Sequence, residues 1–308
     1  VTDPTDAPED EFTEPPQSAG RMIARFFLVP LLVVAVAVGI FLVFNLMTFE
    51  RRTPRDYLQE VKGGTANRRW QAAFELSRSL GNLPEAERAS LASETLRIFD
   101  GLSPKKAEDV PVRRYLVLVL GRLGEPSAVP VLLRAARDAD PDTRLYAIWA
   151  LGRIRSPAGF DTVLASSFSE DPAARKMAAF VLGQLGDPRA VPRLKVLAED
   201  PIPDVRWNAA IGLASLGDAS GLPVLRSIVD RESLARQARL SNEQAETAMV
   251  NALKAFALLR DPASLPLLEK VAKEDPNLRV REAARKAVEA TRQKTSGRLE
   301  GADVDLVV

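Results

Sequence analysis

The side chains that most often do chemistry near neutral pH are missing from this sequence. It has no histidine and no cysteine in 308 residues. A Ser-His-Asp triad, a His-based zinc or iron site, a thiolate nucleophile, a disulfide and an iron–sulfur cluster are therefore excluded. No GxxxxGK[ST] phosphate loop occurs either. The remaining residues with a recurrent pattern are arginines and large apolar side chains. Arg113, Arg144, Arg175 and Arg206 stand 31 residues apart, as do Pro126, Pro157 and Pro188. No catalytic residue, metal ligand or cofactor site is expected, and the chain is not read as an enzyme. The chemistry that fits is recognition.

Five positions after the repeating arginine lie Phe74, Leu118, Trp149, Phe180 and Ile211. One or two positions after it lie Trp70, Tyr115, Tyr146, Met177 and Trp207, and nine after it Arg122 and Arg153. Residues four apart share a helix face, so these twelve form a series along successive helices, and all three tryptophans fall on it. Three readings are open: a partner-binding groove with basic edges, core positions of the stacked helices, or a mixture of the two.

The repeat supplies the elements that would carry this series. Arg113–Gly124, Arg144–Arg155, Arg175–Gly186 and Arg206–Gly217 align, each with an Ala- and Leu-rich run that favours helix. Gly124, Gly186 and Gly217 are placed for a left-handed residue past a helix end, and the prolines that follow Gly124 and Gly186 suit the start of a new helix. Asp140-Pro141, Asp171-Pro172, Asp200-Pro201 and Asp275-Pro276 read as turns in which the Asp caps the next helix. Thirty-one residues suit two short helices and two turns, whose apolar stripes are buried by stacking on neighbours. Weaker copies begin at Arg69, Met249 and Arg281. The interval from Arg206 to Met249 is longer, and its extra polar residues (231–247) are expected to make an exposed extension.

The pattern Val-Arg-x-x-Ala-Ala-x-x-Leu-Gly-x-Leu-Gly-Asp-Pro-x-Ala-Val-Pro, best matched at 175–206, resembles bacterial HEAT-like repeats of the phycobilin-lyase type. The resemblance implies an α-solenoid in which the second helix of each pair lines the inner surface. It also implies a ladder between neighbouring repeats, falling on Asp142, Asp204, Arg113, Arg144, Arg175, Arg206 and Arg281. Metal-dependent enzymes of this fold, such as deoxyhypusine hydroxylase, use His-Glu pairs that this sequence cannot form.

Ahead of the repeats, residues 26–48 carry no formal charge and are rich in Leu, Val, Ile and Phe, enough to cross a hydrocarbon core of roughly 30 Å. No Ala-x-Ala site follows, so an anchor is expected rather than a cleaved signal. Arg21 and Arg25 flank one side, against Arg51, Arg52, Arg55, Lys62, Arg68 and Arg69 on the other, which places the carboxyl side in the cytoplasm. The expected organisation is all-α: an acidic, Pro-rich disordered tail (1–20), a transmembrane helix (21–50), a basic juxtamembrane linker (51–66), a HEAT-like solenoid (67–294) and a flexible tail (295–308). The expected function is a scaffold or adaptor in a bacterial inner membrane that binds a membrane-associated protein. The alternative is a lyase-type enzyme or chaperone subunit related to phycobilin lyases. With 42 basic and 41 acidic residues, nucleic acid is not an expected partner.

Overall fold

The computed structural model describes residues 24–48 and 52–302. The expected acidic tail, 1–20, lies outside them. The chain divides into two units, Val1–Arg52 and Thr53–Val308. In the first, a π-helical turn at Ala24–Leu28 leads into helix α1, Val29–Thr48, with Pro30 in its first turn. Its 20 residues reach about 30 Å at 1.5 Å per residue. The stretch Phe26–Val43 is long and apolar enough to cross a membrane, and its large side chains from Phe26 to Val43 are all exposed within the unit.

The second unit has helices and connecting turns, with no strand among its described residues. Its helices are α2 (Pro54–Gly63), α3 (Ala66–Ser79), α4 (Glu85–Asp100), α5 (Val110–Leu123), α6 (Val129–Ala135), α7 (Pro141–Ile154), α8 (Phe160–Ser166) and α9 (Pro172–Leu185). They continue as α10 (Val191–Leu197), α11 (Pro203–Ser215), α12 (Leu222–Val229), α13 (Arg231–Gln237), α14 (Asn242–Leu259), α15 (Leu265–Glu274) and α16 (Leu278–Ala302). Helices α3, α5, α7, α9, α11, α14 and α16 pack side by side into one layer; α2, α4, α6, α8, α10, α12 and α15 cover one face of it. The other face stays open. This is the expected solenoid of helix pairs.

The unit starts earlier and ends later than expected. The segment read as a linker, 51–66, is helical from Pro54, capped by a reciprocal Thr53–Asp56 pair. Its Leu58 and Val61 are fully buried, so the basic residues around them decorate a helix that closes the stack. At the other end α16 runs on through the expected tail to Ala302; 303–308 lie outside the described residues.

Neighbouring layer helices meet in a repeated register. A Cβ added at Gly121 would lie 2.6 Å from Ala150 Cβ, one at Gly152 2.9 Å from Val181, and one at Gly183 2.4 Å from Gly212 Cα. Each of these glycines stands eight residues after its repeat arginine, inside a helix where Gly costs up to about 1 kcal/mol relative to Ala. Close approach of the backbones, with the dense packing it allows, offsets that cost. Gly124, Gly186 and Gly217 end their helices at φ 71°, 73° and 76°; Arg155 and Arg260 take the same left-handed turn at 54° and 50°.

The arginine ladder exists, with different acids from those expected. Arg113 reaches Asp138 at 2.6 and 3.2 Å, and Arg175 reaches Asp200 at 2.8 and 3.1 Å. Arg69 meets Asp109 at 3.1 Å. The same Arg175 closes its own turn through the Ser169 and Glu170 carbonyls, as Arg144, Arg206 and Arg281 do at theirs. Asp142 and Asp204 instead pair with Arg114 and Lys176. Of the four Asp-Pro turns, only Asp140 and Asp171 cap the following helix. Asp200 and Asp275 stand two residues earlier in the repeat, where they accept an arginine from the preceding helices. Burial works against ionisation of Asp200, but hydrogen bonds from Arg175 and Ile202 outweigh it and hold its carboxyl below the ordinary value.

The extra residues 231–247 are not a free extension. Met249 occupies the repeat-arginine position, and Arg231 of α13 supplies the guanidinium, bound to Asp275 at 2.7 and 2.8 Å. Leu234 beside it is buried.

Two outcomes test this packing. Gly183→Ala should destabilise the chain by about 1–3 kcal/mol, because the helices cannot part without strain, and should lower the urea midpoint. Ser169 occupies the place that Asp138 and Asp200 hold in their repeats, so Arg144 lacks its rung. Ser169→Asp should stabilise the chain by about 0.5–1 kcal/mol and raise the urea midpoint accordingly, the modest value reflecting the exposure of Arg144; an unchanged midpoint would remove the ladder as a stabilising feature.

Candidate functional site

The open face of the layer helices carries all twelve residues of the sequence series. Position in the repeat largely decides their burial: the residues three and four after the arginine point into the stack, while those one, two, five and nine after it do not, Trp207 excepted. Ala147 and Ile148, for example, are buried, whereas Tyr146 and Trp149 are half-buried and Arg153 is exposed. The choice between groove and core therefore resolves into a half-buried ridge. Trp70, Phe74, Tyr115, Leu118, Met177, Phe180 and Ile211 share that intermediate burial, Arg122 is exposed, and Trp207 alone of the series is buried, at 6%.

Two clusters form along the ridge. At one end Tyr115 of α5 meets two rings of α3: Phe74 edge-on at 5.2 Å between centroids and Trp70 stacked at 6.5 Å. Such pairs contribute about 0.5–1.5 kcal/mol beyond area burial. Tyr146 stands next along; burial first, then the neighbouring Asp142 and Tyr115, push its phenol above the ordinary value. Further on, Met177, Phe180, Trp207 and Ile211 line a groove of about 530 Å³ whose other wall is α14, with Glu243, Gln244, Thr247, Ala248 and Asn251, and Leu240 just before it. The Trp207 indole N–H is buried with no acceptor among the described residues.

Charge is distributed unevenly across the face. On the edge formed by the helix N-termini the charges are paired. Arg114 bonds Asp140 at 2.9 and 3.1 Å and reaches Asp142 at 3.2 Å, and Lys176 reaches Asp204 at 3.2 Å. The hydrogen bond to Asp140 raises the Arg114 pKa, against the opposing effect of burial. Asp140 is itself buried enough to resist ionisation, yet its bonds from Arg114 and Thr143 keep its carboxyl below the usual range. On the opposite edge Arg78, Arg122 and Arg153 are exposed and make no ion pair among the described residues. Glu125, near Arg122 in sequence, lies against Arg88 at 3.5 Å.

The α14 wall was not foreseen, because the insertion hides the register: Asn251 holds the place of Met177 and Asn208, but Leu240, Glu243 and Gln244 belong to the residues read as an exposed extension. Arg78 was legible, standing nine after Arg69 as Arg122 does after Arg113. Among the described residues no cluster of acids could hold a metal ion.

The HEAT-repeat family profile matches residues 100–167 and 160–242. These residues carry HEAT repeats. A solved structure of the complex of CpcE and CpcF of phycocyanin lyase from Nostoc sp. PCC7120 matches with a TM-score of 0.52 at 16% identity, over 78% of this chain and 95% of that one. The Escherichia coli protein YibA matches with a TM-score of 0.48 at 17% identity, over 76% and 81% of the two chains. At such identity the likeness to the lyase complex establishes the fold alone. No curated protein matches the sequence.

The ridge reading makes a spectroscopic prediction. In variants retaining one tryptophan each, acrylamide should quench Trp70 and Trp149 several-fold more efficiently than Trp207. Equal quenching of the three would mean that the burial pattern of the open face is wrong.

Proposed function

We propose that this chain is a membrane-tethered docking scaffold. In this reading α1 crosses a bacterial inner membrane with the amino end outside. The HEAT solenoid lies on the cytoplasmic side and holds a membrane-associated protein on the open face of its layer helices. The observation that carries the reading is the uncovered ridge itself. Half-buried aromatic side chains and a groove of about 530 Å³ are left on the face that the covering helices do not reach, and contiguous apolar surface of this kind marks interaction sites. A helix that is apolar on every side and packed against nothing within its unit supports the tether. The excess of Arg and Lys after it supports the orientation. Confinement to a membrane raises the effective concentration of the scaffold for a partner in the same bilayer.

The absence of native cysteine makes the test direct. With Ser18→Cys, a membrane-impermeant maleimide should label intact cells; with Glu170→Cys, only permeabilised ones. A benzoylphenylalanine crosslinker at Leu118 or Ile211 should yield one discrete adduct in native membranes, and none at the outer-face Val196. Release of the protein by alkaline carbonate would sink the tether, and equal adducts from Val196 would sink the docking face.

A further inference from the structure

We infer that the segment held on this face is an extended, acidic stretch of the partner protein, with an acid at every third residue. The inference rests on the docking reading above and specifies the partner's chemistry. Arg78, Arg122 and Arg153 occupy one register position on α3, α5 and α7, nine residues after Arg69, Arg113 and Arg144, and these helices are consecutive neighbours in the layer. Packed helices lie about 8–10 Å apart, so the three guanidinium groups form a row across the helices at roughly that spacing. An extended chain of the polyproline II type rises about 3.1 Å per residue with three residues per turn, so every third side chain faces the same way and three residues span one helix-to-helix step. Acids at i, i+3 and i+6 would meet the three arginines in turn.

Two further observations favour an acidic protein segment. On the opposite edge the basic Arg114 is already held by Asp140 and Asp142, which leaves the row as three arginines of this end of the face with no acid paired to them among the described residues. Beside the row, four residues back on each helix, stand Phe74, Leu118 and Trp149, an apolar shelf for the side chains between the acids. Arg78 already lies over the Phe74 ring at 5.4 Å. Guanidinium groups favour carboxylates because the bonds between them are charge-assisted and can be bidentate.

The test uses the full chain in detergent micelles and two fluorescein-labelled synthetic peptides of identical composition. One carries Glu at three-residue spacing with Phe, Leu and Pro between; the other carries the same Glu residues in one block. Anisotropy should show the spaced peptide binding at least ten-fold tighter, with affinity falling as salt rises. Arg122→Glu should weaken it at least ten-fold, and Arg97→Glu on the covering helix α4 should leave it unchanged. Because Arg122 is exposed, its substitution should leave the chain folded, with only the small drop in urea midpoint expected from reversing a charge at a helix C-terminus. Equal binding of the two peptides, or no effect of Arg122→Glu, overturns the inference. If the Leu118 adduct persists in that case, the docking face stands and only its acidic register falls. Asp3, Asp6 and Glu9 of this chain have the same spacing. Tighter peptide binding after deletion of residues 1–20 would mean that the chain's own tail occupies the row, and the partner assignment would be overturned.

Discussion

The solenoid depends on how closely its layer helices approach. At Gly183 and Gly212 the backbones touch, and Gly121 and Gly152 bring Ala150 and Val181 nearly as near. That contact fixes the rotation and the height of each helix against the next. A fixed rotation is what sends the residues three and four after the arginines of α3 to α11 inward and leaves those at one, two, five and nine on the open face. The arginine rung locks the same register from the helix start, because one guanidinium closes its own turn and grips an acid of the next repeat. Removing one member of a pair as enclosed as Arg113 and Asp138 strands a buried charge, at a cost of about 3–5 kcal/mol. Fold and recognition surface are therefore consequences of a single repeated geometry.

Much of this was legible in the residues because the repeat is nearly constant between Arg113 and Gly217. The 31-residue spacing gave the helix pairs, and Gly124, Gly186 and Gly217 gave the left-handed turns. Legibility failed where two positions look alike in sequence. Asp140 and Asp200 both precede a proline, yet they stand four and six residues before their repeat arginines; one caps a helix and the other is a rung. It failed also at the burial of the aromatic series, since a helix within a layer has three environments: the covered side, the flanks against its neighbours and the open side. A large residue of the open face that leans on a neighbouring helix, such as Trp149 against Gly121, is neither core nor surface, and periodicity alone does not separate these cases.

The insertion illustrates how the geometry survives a break in the pattern. Met249 cannot form a rung, and a polar excursion of this length at a weak repeat reads as an appendage. Instead α13 folds back so that Arg231 reaches Asp275, and the stack continues through α14 and α16. The same excursion lengthens α14 at its amino end, and that added turn becomes a wall of the groove opposite Met177 and Phe180. A feature that restores the packing of the repeats thus also shapes the open face, which is why its residues could not be found from the repeat register.

The basic row has a competing structural explanation, since a cation in the last turn of a helix is favoured by the helix dipole by about 0.3–1 kcal/mol. Arg78, Arg122 and Arg153 all sit in such turns. The same register position is Gln184 in α9, Ser215 in α11 and Leu258 in α14, and none of those helices has a basic residue in its last turn. Those helices pack into the layer as well as the others do, so the fold does not require the charge. If the dipole were the reason, the arginines should be spread along the solenoid. Their confinement to three consecutive helices, beside the densest aromatic cluster and opposite an edge whose own charges are already paired, is the arrangement expected of a surface matched to something outside the chain.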